Sequence, residues 1–586
     1  MSSRQSVTKR QILFVFGSQA CVPSDPLLAA KELGCRTAVL ASSIPCGLQA
    51  DLVDHFERAS LNDPEEVLEA VRAINRARPV HAVVGYDDQA VPMVARIAAD
   101  LGLAGHPVEA ADAARDKVLM KQRFKAAGLP IASYTLARDE DDAVRWAATT
   151  GYPVVVKPVR GSASQAVIRA NNEQDLRDAY RRVRRIVREQ HLDTGGRSDA
   201  EQLVEAYIEG NEYSVEFLVS EGEPHVLCIF EKPQPLCGPF FEETIYVTPT
   251  HLSDEQNHQL QDLAARAVQA LGLYNGPAHC EIRLSSEGPF VLEIGARVIG
   301  GACSRVFRYA LGEDIHKYVL RLALGDRSEL PKQGERAAGA MMLPIPGEGR
   351  LKGVRNIERA RRVPGIQDVI ITADAGDLII PFPEQNCYIG FLTASADTPE
   401  AAAEALAMAA SEIQLDLEPL VCENWVRTIV NPPPFQKDNG FNIRKLEDYD
   451  PEEARDIAAP IVAAAHFGEY PSHLALEKAR QCIHWLEEGN RGETAPSFWL
   501  VAEDYGVALG SALGDRCYAS CLGVTPGHRR LGVGEALVQS ITSLFAERGC
   551  TSIEVMVDPR ETGNVAFYKR LGFVAEKPVD DACCSC

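Results

Sequence analysis

HCEIRLSSEGPFVLEIGAR, residues 279–297, reads as two apolar strands separated by Ser285 to Pro289, each holding one carboxylate, Glu281 and Glu293, among aliphatic neighbours. Two half-buried carboxylates on paired strands repel unless a cation lies between them, and an all-oxygen donor pair suits a hard ion. Upstream, GYPVVVKPVRGSAS (151–164) launches the β-branched run Val154-Val155-Val156 from Tyr152-Pro153, so Lys157 belongs on a buried strand. A buried ammonium needs an anion. The small-residue loop Gly161-Ser162-Ala163-Ser164 that follows can close its backbone N–H groups over phosphates. Between the two stretches, LVEAYIEGNEYSVEFLV (203–219) reads as a hairpin: strand Leu203 to Ile208, turn Gly210-Asn211, strand Tyr213 to Val219. That hairpin is expected to carry Glu205 and Glu212 to one place. A helix over 112–128, ended by Gly128-Leu129-Pro130, sets Lys117 and Lys121 one turn apart.

In order and spacing, these pieces resemble the ATP-grasp fold of carboxylate–amine ligases over roughly residues 11 to 430. The resemblance implies that Lys117 and Lys157 contact ATP phosphates under the loop of Ser162 and Ser164. Glu205, Ala206, Tyr207 and Ile208 become the adenine hinge, and Glu212 holds the ribose hydroxyls. Glu281 and Glu293 hold one or two Mg²⁺ ions, with Mn²⁺ as the alternative, and Arg297 meets the acyl phosphate and the tetrahedral oxyanion. Many members carry Asn two residues after the second metal Glu, where this chain has Gly295. The run Glu293, Arg297, Gly300-Gly301 with HCE at 279–281 is similar to the L-amino-acid (dipeptide) ligases, which also lack that Asn. The phosphate loop departs too, with Ala163 and Ala166 where glycines are frequent. In this family the segment 222–250, with KPQPLCGPFFEETIYVTP, reaches the amino-acid substrates, so Glu242 or Glu243 is placed against an α-ammonium. His279 is a substrate contact or a hydrogen-bonded strand histidine, and Glu242 and Glu243 are alternatively plain loop carboxylates.

The chain is 586 residues long, 46% apolar and 24% charged, enough for several cores. A formal net charge of −22 argues against a nucleic-acid partner, and the only basic run, Arg181 to Arg188, reads as a solvated helix face. Ile12 to Phe16 is too short for a signal h-region or a membrane span, so the expected compartment is the cytosol, without a membrane partner. Self-association is left open. The sixteen cysteines are scattered through core-like strands and are expected as thiols; Cys583, Cys584 and Cys586 form a separate Cys-rich tail over 581–586.

The N-terminal residues 11–112 read as a Rossmann-like layer: strands at ILFVF, TAVLAS (37–42) and HAVVGYDD (81–88), a helix over Asp25 to Leu33. Gly17-Ser18 lacks the further glycines of a dinucleotide fingerprint. Asp87 and Asp88 at a strand's carboxyl end face substrate or lie on a surface loop. Residues 113–330 are the expected ATP-grasp domain and 331–430 a small α+β lobe completing it. NPPPFQKDNG (431–440) reads as a stiff linker.

After the linker, strands in WLVAEDYGVALGSAL (499–513) and CLGV (521–524) lead to HRRLGVGEALVQSITSLFAERG (528–549), an R-x-x-G-x-G loop running into a helix. Free N–H groups and the positive dipole end there suit a pyrophosphate. With IEVMVD (553–558) and GNVAFYKRLGF (563–573), this region, 441–580, is similar to the GNAT acetyltransferases. The resemblance implies acetyl-CoA on Val524, Arg529, Arg530, Gly532, Val533 and Gly534, Asn564 near the pantetheine, and Tyr568 as general acid for the leaving thiolate; the plain alternative for Tyr568 is a core position. Glu503 and Glu469 are the candidates for the acceptor's base. The expected fold class is α/β and α+β multidomain: Rossmann-like layer, ATP-grasp core, GNAT fold. The expected chemistry is ligation of a small-molecule carboxylate to an amine with ATP, plus N-acetylation with acetyl-CoA. Two rival readings remain: a biotin-dependent carboxylase subunit, and a regulatory acetyltransferase whose nucleotide module only senses.

Overall fold

Strand Gln11–Phe16 is buried at every residue, because Ile12, Phe14 and Phe16 enter one core while Leu13 and Val15 enter another on the opposite face. It lies in a four-stranded parallel sheet ordered His55–Arg58, Arg36–Ala41, Gln11–Phe16, Ala82–Gly85. The computed structural model describes residues 9–17, 24–45, 47–190, 192–326, 336–385 and 388–418 of a first compact unit, 1–418. Of a second, 419–586, it describes 423–428, 443–445, 498–502, 506–513, 516–524, 533–547, 550–557, 567–571 and 573–578.

The parallel sheet reverses its strand order between Gln11–Phe16 and Ala82–Gly85. The carboxyl ends of strands at such a switch point form a crevice. Gly17, Asp87 and Asp88 lie at that point, and Asp87 fills it from the inside: its carboxylate accepts from Gly17 N at 2.7 Å and from Ala90 N at 3.0 Å. A Cβ on Gly17 would come within 2.4 Å of Asp87 Oδ1, so this glycine serves a close side-chain approach.

Two antiparallel sheets make up most of the first unit. The smaller is ordered Tyr134–Ala137, Gln202–Ala206, Val154–Lys157, Ile168–Ala170, and helices Glu140–Thr150 and Glu173–Glu189 pack on it. The larger has eight strands: Gly288–Gly295, Gly276–Ser285, Asn211–Ser220, Glu223–Glu231, Ile245–Thr248, Ala337–Met342, Gly390–Ala396, Ile366–Ile371. Helix Asp254–Leu271 begins with a Ser253/Gln256 capping box and buries Leu260, Leu263, Val268 and Leu271 against it.

Three expectations change. The hairpin expected over 203–219 does not form: Gln202–Ala206 pairs in the small sheet and Asn211–Ser220 in the large one, so the chain changes sheets at 207–210. Gly210 makes the crossing at φ 116°, where a Cβ would meet Leu284 O at 2.1 Å. The helix expected over 112–128 is two, Val108–Arg115 and Lys117–Ala126; Asp116 between them is extended and caps the second by accepting from Val118 N and Leu119 N. The α+β lobe expected over 331–430 to complete the ligase stops at Glu418 with the first unit, and its strands Ala337–Met342, Ile366–Ile371 and Gly390–Ala396 extend the eight-stranded sheet. A three-stranded sheet, Leu378–Ile379, Gly349–Arg355, Gln414–Glu418, completes this unit.

The second unit has a seven-stranded sheet ordered Ile443–Lys445, Phe498–Ala502, Gly506–Leu513, Arg516–Val524, Ser552–Val557, Glu423–Thr428, Val574–Pro578. Glu423–Thr428, expected in the ligase lobe, instead pairs antiparallel with both Ser552–Val557 and Val574–Pro578. The expected linker 431–440 and the Cys tail lie outside the described residues. Cys35, Cys228, Cys280 and Cys303 are buried thiols as expected, whereas Cys550 is disulfide-bonded.

Candidate functional site

One cavity of the first unit lies between the small sheet, the large sheet and the end of the parallel layer. Its wall includes Lys117, Lys157, Ser162, Ser164, Glu205, Ala206, Tyr207, Ile208, Glu212, Glu243, His279, Glu281, Glu293 and Arg297. The sequence gathered these from five separated segments. Glu242, one residue from Glu243, is not in this wall; its carboxylate accepts from Ile345 N at 3.3 Å, and burial raises its pKa.

The carboxylates of the large sheet are set by register. Glu281 and Glu293 are directly opposed across Gly276–Ser285 and Gly288–Gly295, beside a bulge at Glu281/Ile282. Their repulsion is relieved by ammonium groups: Lys117 Nζ lies 2.9 Å from Glu293 Oε2 and Lys232 Nζ 2.9 Å from Glu281 Oε1. Lys232, which the sequence reading missed, also reaches Glu212 Oε1 at 2.5 Å and Glu243 Oε1 at 2.9 Å, with its side chain 3% exposed. Burial opposes its charge, but Glu212, Glu243 and Glu281 outweigh that and hold its pKa well above the usual lysine range. Glu281 is driven the other way: burial would raise it, yet Lys232 and His279 hold it well below the usual range. The one cue in the sequence was a lysine at the end of an apolar strand, Glu223–Glu231.

On the opposite wall, Glu205 is shared by Lys157 at 2.9 Å and Lys121 at 3.2 Å, all three buried. For Lys157, burial is outweighed by Glu205, Glu293 and Glu281, so its pKa is raised. For Lys121, burial wins and leaves it at about 8. Arg283, also missed, ties three parts of the site together by donating to Glu212 Oε2 at 3.0 Å, Ile208 O at 2.8 Å and Leu236 O at 2.7 Å. Its guanidinium lies 5.0 Å from the Tyr207 ring, which Arg169 also approaches at 4.3 Å.

Lys117 Nζ also donates to Gly161 O at 3.3 Å, bringing the phosphate loop to the metal-type carboxylates. Ala163 and Ala166, where glycines are frequent in the family, sit at φ 50° and 57°, and Ser164 at φ 53°. Each left-handed non-glycine residue costs roughly 1–3 kcal/mol and persists only when surrounding contacts hold it.

His279 has both contacts: Nδ1 is 2.6 Å from Glu216 Oε1 and Nε2 3.5 Å from Glu281 Oε1. Burial alone would lower its pKa, but the two carboxylates raise it to about 10. It is therefore a paired strand histidine whose ring edges the cavity. Arg297 donates from Nε and Nη2 to Asp88 Oδ2 at 3.1 and 2.9 Å. Burial would raise Asp88, but Arg297, Arg115 and Lys117 lower it. The neighbouring Asp87 has no such cation, and burial lifts it to about 6. A Cβ at Gly295 would lie 3.4 Å from both Arg297 and Asp88, so a side chain as long as Asn there must displace this pair.

Oxygen donors on Glu281 and Glu293, with Glu212 and Glu243 adjoining, match what Mg²⁺ takes from protein. The set contains no sulfur, which disfavours soft ions.

In the second unit, Arg516–Val524 and Ser552–Val557 run parallel, paired from Arg516↔Ser552 to Tyr518↔Glu554. Past Tyr518 the first strand continues against Gly506–Leu513 and the second against Glu423–Thr428. Val524 ends one of these strands, and Val533 and Gly534 start helix Val533–Glu547. Arg529, Arg530, Gly532, Asn564, Glu469 and Glu503 lie outside the described residues. Tyr568 is half-buried, its ring 5.0 Å from Phe567 and 5.3 Å from Phe573, as a packed tyrosine would be.

Comparison with known families agrees with this layout. Residues 27–105 match the ATP-grasp N-terminal domain, 150–306 the ATP-grasp domain, 341–418 the L-amino acid ligase C-terminal domain 2, and 463–573 the acetyltransferase (GNAT) family. An uncharacterized protein of Sinorhizobium fredii is 28% identical over 56% of this chain and 66% of its own. Alanine–anticapsin ligase of Bacillus subtilis is 26% identical over 46% of this chain and 60% of its own. The chain thus spans 60% to 66% of the length of these two relatives. The crystal structure of L-amino acid ligase from Bacillus licheniformis superimposes with a TM-score of 0.60 at 25% identity, covering 70% of this chain and all of that one. No helix among the described residues is long and apolar enough to cross a membrane.

Proposed function

We propose that this chain, an ATP-grasp protein of the L-amino-acid ligase kind carrying a GNAT domain, joins an amino-acid carboxylate to an amine through an acyl phosphate and separately acetylates an amine. The observation that carries the ligase reading is the Glu281/Glu293 pair, opposed across two strands and facing Lys117, Lys157 and Arg297 in one cavity. Lys117 and Lys157 hold the phosphates beneath the loop of Ser162 and Ser164. Glu205 to Ile208 forms the adenine hinge, kept in place by Arg283, and Glu212 takes the ribose hydroxyls. Glu281 and Glu293 hold the divalent ion, which when bound neutralises charge on the nucleotide phosphates.

A substrate carboxylate oxygen attacks the γ-phosphorus, the bond to the β-phosphate oxygen breaks, and ADP leaves. The neutral amine nitrogen then attacks the acyl carbon, phosphate departs with the bond electrons, and the proton lost from nitrogen passes to the departing phosphate. Asp88 orients Arg297 from behind, so the guanidinium is preset to face the oxyanion and the departing phosphate. Glu243 and His279 line the same space and are assigned to the amino-acid substrate, Glu243 to an ammonium. In the GNAT unit the parting strands and helix Val533–Glu547 support acetyl-CoA binding there, with Tyr568 as the proposed acid.

The test is incubation of the purified chain with ATP, Mg²⁺ and pooled amino acids, read by mass spectrometry and by nucleotide analysis. Amine-dependent ADP and phosphate with a condensed product is the expected result. AMP and pyrophosphate would rule out the acyl-phosphate route. Acetyl-CoA added with the same pool reads the second activity as free CoA.

A further inference from the structure

We propose that Glu384, together with Pro383, positions the phosphate loop, so that a segment from the far end of the first unit sets nucleotide affinity. This rests on the reading of 161–166 as the loop over ATP phosphates.

Four contacts converge. Glu384 accepts both Arg182 Nε at 2.8 Å and Nη2 at 2.9 Å in a two-pronged pair, and Arg185 Nη2 at 3.0 Å. Both arginines lie on helix Glu173–Glu189, which packs on the small sheet. The same segment reaches the loop through its backbone: Pro383 O accepts Ala166 N at 3.0 Å, and Glu384 O accepts Gln165 Nε2 at 2.9 Å. Gln165 N and Val167 N are satisfied inside the loop by Ser162 O and Ser164 O. The phosphate cradle therefore falls to residues 162–164, whose curvature depends on where 165 and 166 are held.

Ala163, Ser164 and Ala166 occupy a left-handed conformation that side chains resist. A loop built of glycines would adopt it unaided; this one needs an external hold, and the 383–384 segment supplies one at the residue next to the strain. The ion pair is partly exposed, with Glu384 at 23% and Arg182 at 38%, so it is open to salt. Helix and loop belong to the small-sheet wall, while Glu384 follows the Leu378–Ile379 strand of the three-stranded sheet. Glu384 is thus a positioning residue acting across the cavity rim, and it touches no expected ligand atom.

The experiment measures Mg·ADP binding by calorimetry and dissociation by stopped flow on the full chain. Wild type must bind Mg·ADP; if it does not, the nucleotide reading fails, independently of Glu384. Glu384→Gln and the double variant Arg182→Met/Arg185→Met, which removes the same pair from the other side, should each weaken binding about five-fold, mainly through faster release. Raising NaCl should weaken wild type more steeply than the variants, because the variants retain the salt dependence of the phosphate contacts but lack that of the ion pair. Adding Ala166→Gly to Glu384→Gln should restore part of the affinity by easing the backbone, which a merely stabilising ion pair would not allow. Wild-type binding by both clasp variants, or no rescue by glycine, overturns the proposal.

Discussion

The two walls of the cavity solve opposite electrostatic problems. On the large sheet, Glu212, Glu243, Glu281 and Glu293 gather, held together by Lys232 at the end of strand Glu223–Glu231 and by Lys117 from helix Lys117–Ala126. On the small-sheet side, two lysines, Lys121 and Lys157, gather around one carboxylate, Glu205. One wall gathers carboxylates and the other lysines, an arrangement that suits a metal–polyphosphate ligand, and in each wall the like charges are paired with groups of opposite sign.

The strongest way to break this comparison is to remove one member from each wall. Lys157→Ala and Glu293→Ala should each abolish amine-dependent ADP release, by about 10³-fold or more, while leaving acetyl-CoA turnover intact, as a coupled phosphate assay and a thiol assay would show. Equal loss of both activities would contradict two independent units. Next in size is Arg297→Lys, which should lower kcat by roughly 10² with ATP affinity nearly unchanged, because lysine lacks the planar fork. A fall in melting temperature with near-normal kcat would make Arg297 a partner for Asp88 and nothing more.

The carboxylate wall can be sharpened by Lys232→Met, which strands three neighbouring carboxylates. The loss should be about 3 kcal/mol in chemical denaturation, and Mg²⁺ or Mn²⁺ should restore more stability to the variant than to wild type. Absence of metal rescue would deny that the wall accepts a cation in place of lysine. The smallest effect concerns Asp87, which no cation compensates. Its folded pKa of about 6 lies above the ordinary 3.8, so the stability it contributes is greatest below about pH 4 and is lost as pH rises to about 6. Asp87→Asn removes the buried charge but keeps only one acceptor oxygen for Gly17 N and Ala90 N, which bond different oxygens of Asp87; it should flatten the melting profile between about pH 4 and 6 with little net change in stability at pH 7.

How much of this was legible varies residue by residue. Glu281 and Glu293 were readable because strand period and a short turn fix which residues oppose each other. Lys232 was not, since its meaning depends on Glu212 and Glu281, 20 and 49 residues away, arriving on neighbouring strands. Gly210-Asn211 carries the chemistry of a hairpin turn, and local sequence does not distinguish a chain reversing on its own sheet from one stepping to another. The break at Asp116 was legible: Asp116-Lys117 reads as a helix opening, an N-cap aspartate before Val118 and Leu119, although the apolar periodicity also carried a helix back to 112. Ala163 and Ala166 were noticed as departures from glycine, but the hydrogen bond that Pro383 O accepts from Ala166 N comes from far along the chain and has no local signal.

Strand Glu423–Thr428 gives the second unit an order of assembly. It precedes every other strand of its sheet, yet its place lies between Ser552–Val557 and Val574–Pro578, which are made last. As the chain leaves the ribosome, this strand must wait, unpaired, for well over a hundred residues of synthesis before either neighbour exists. The residues matched to the GNAT family, 463–573, do not include it. A fragment cut at the proline run would therefore begin with a slot in its sheet and two exposed strand flanks, an invitation to pair with a second copy.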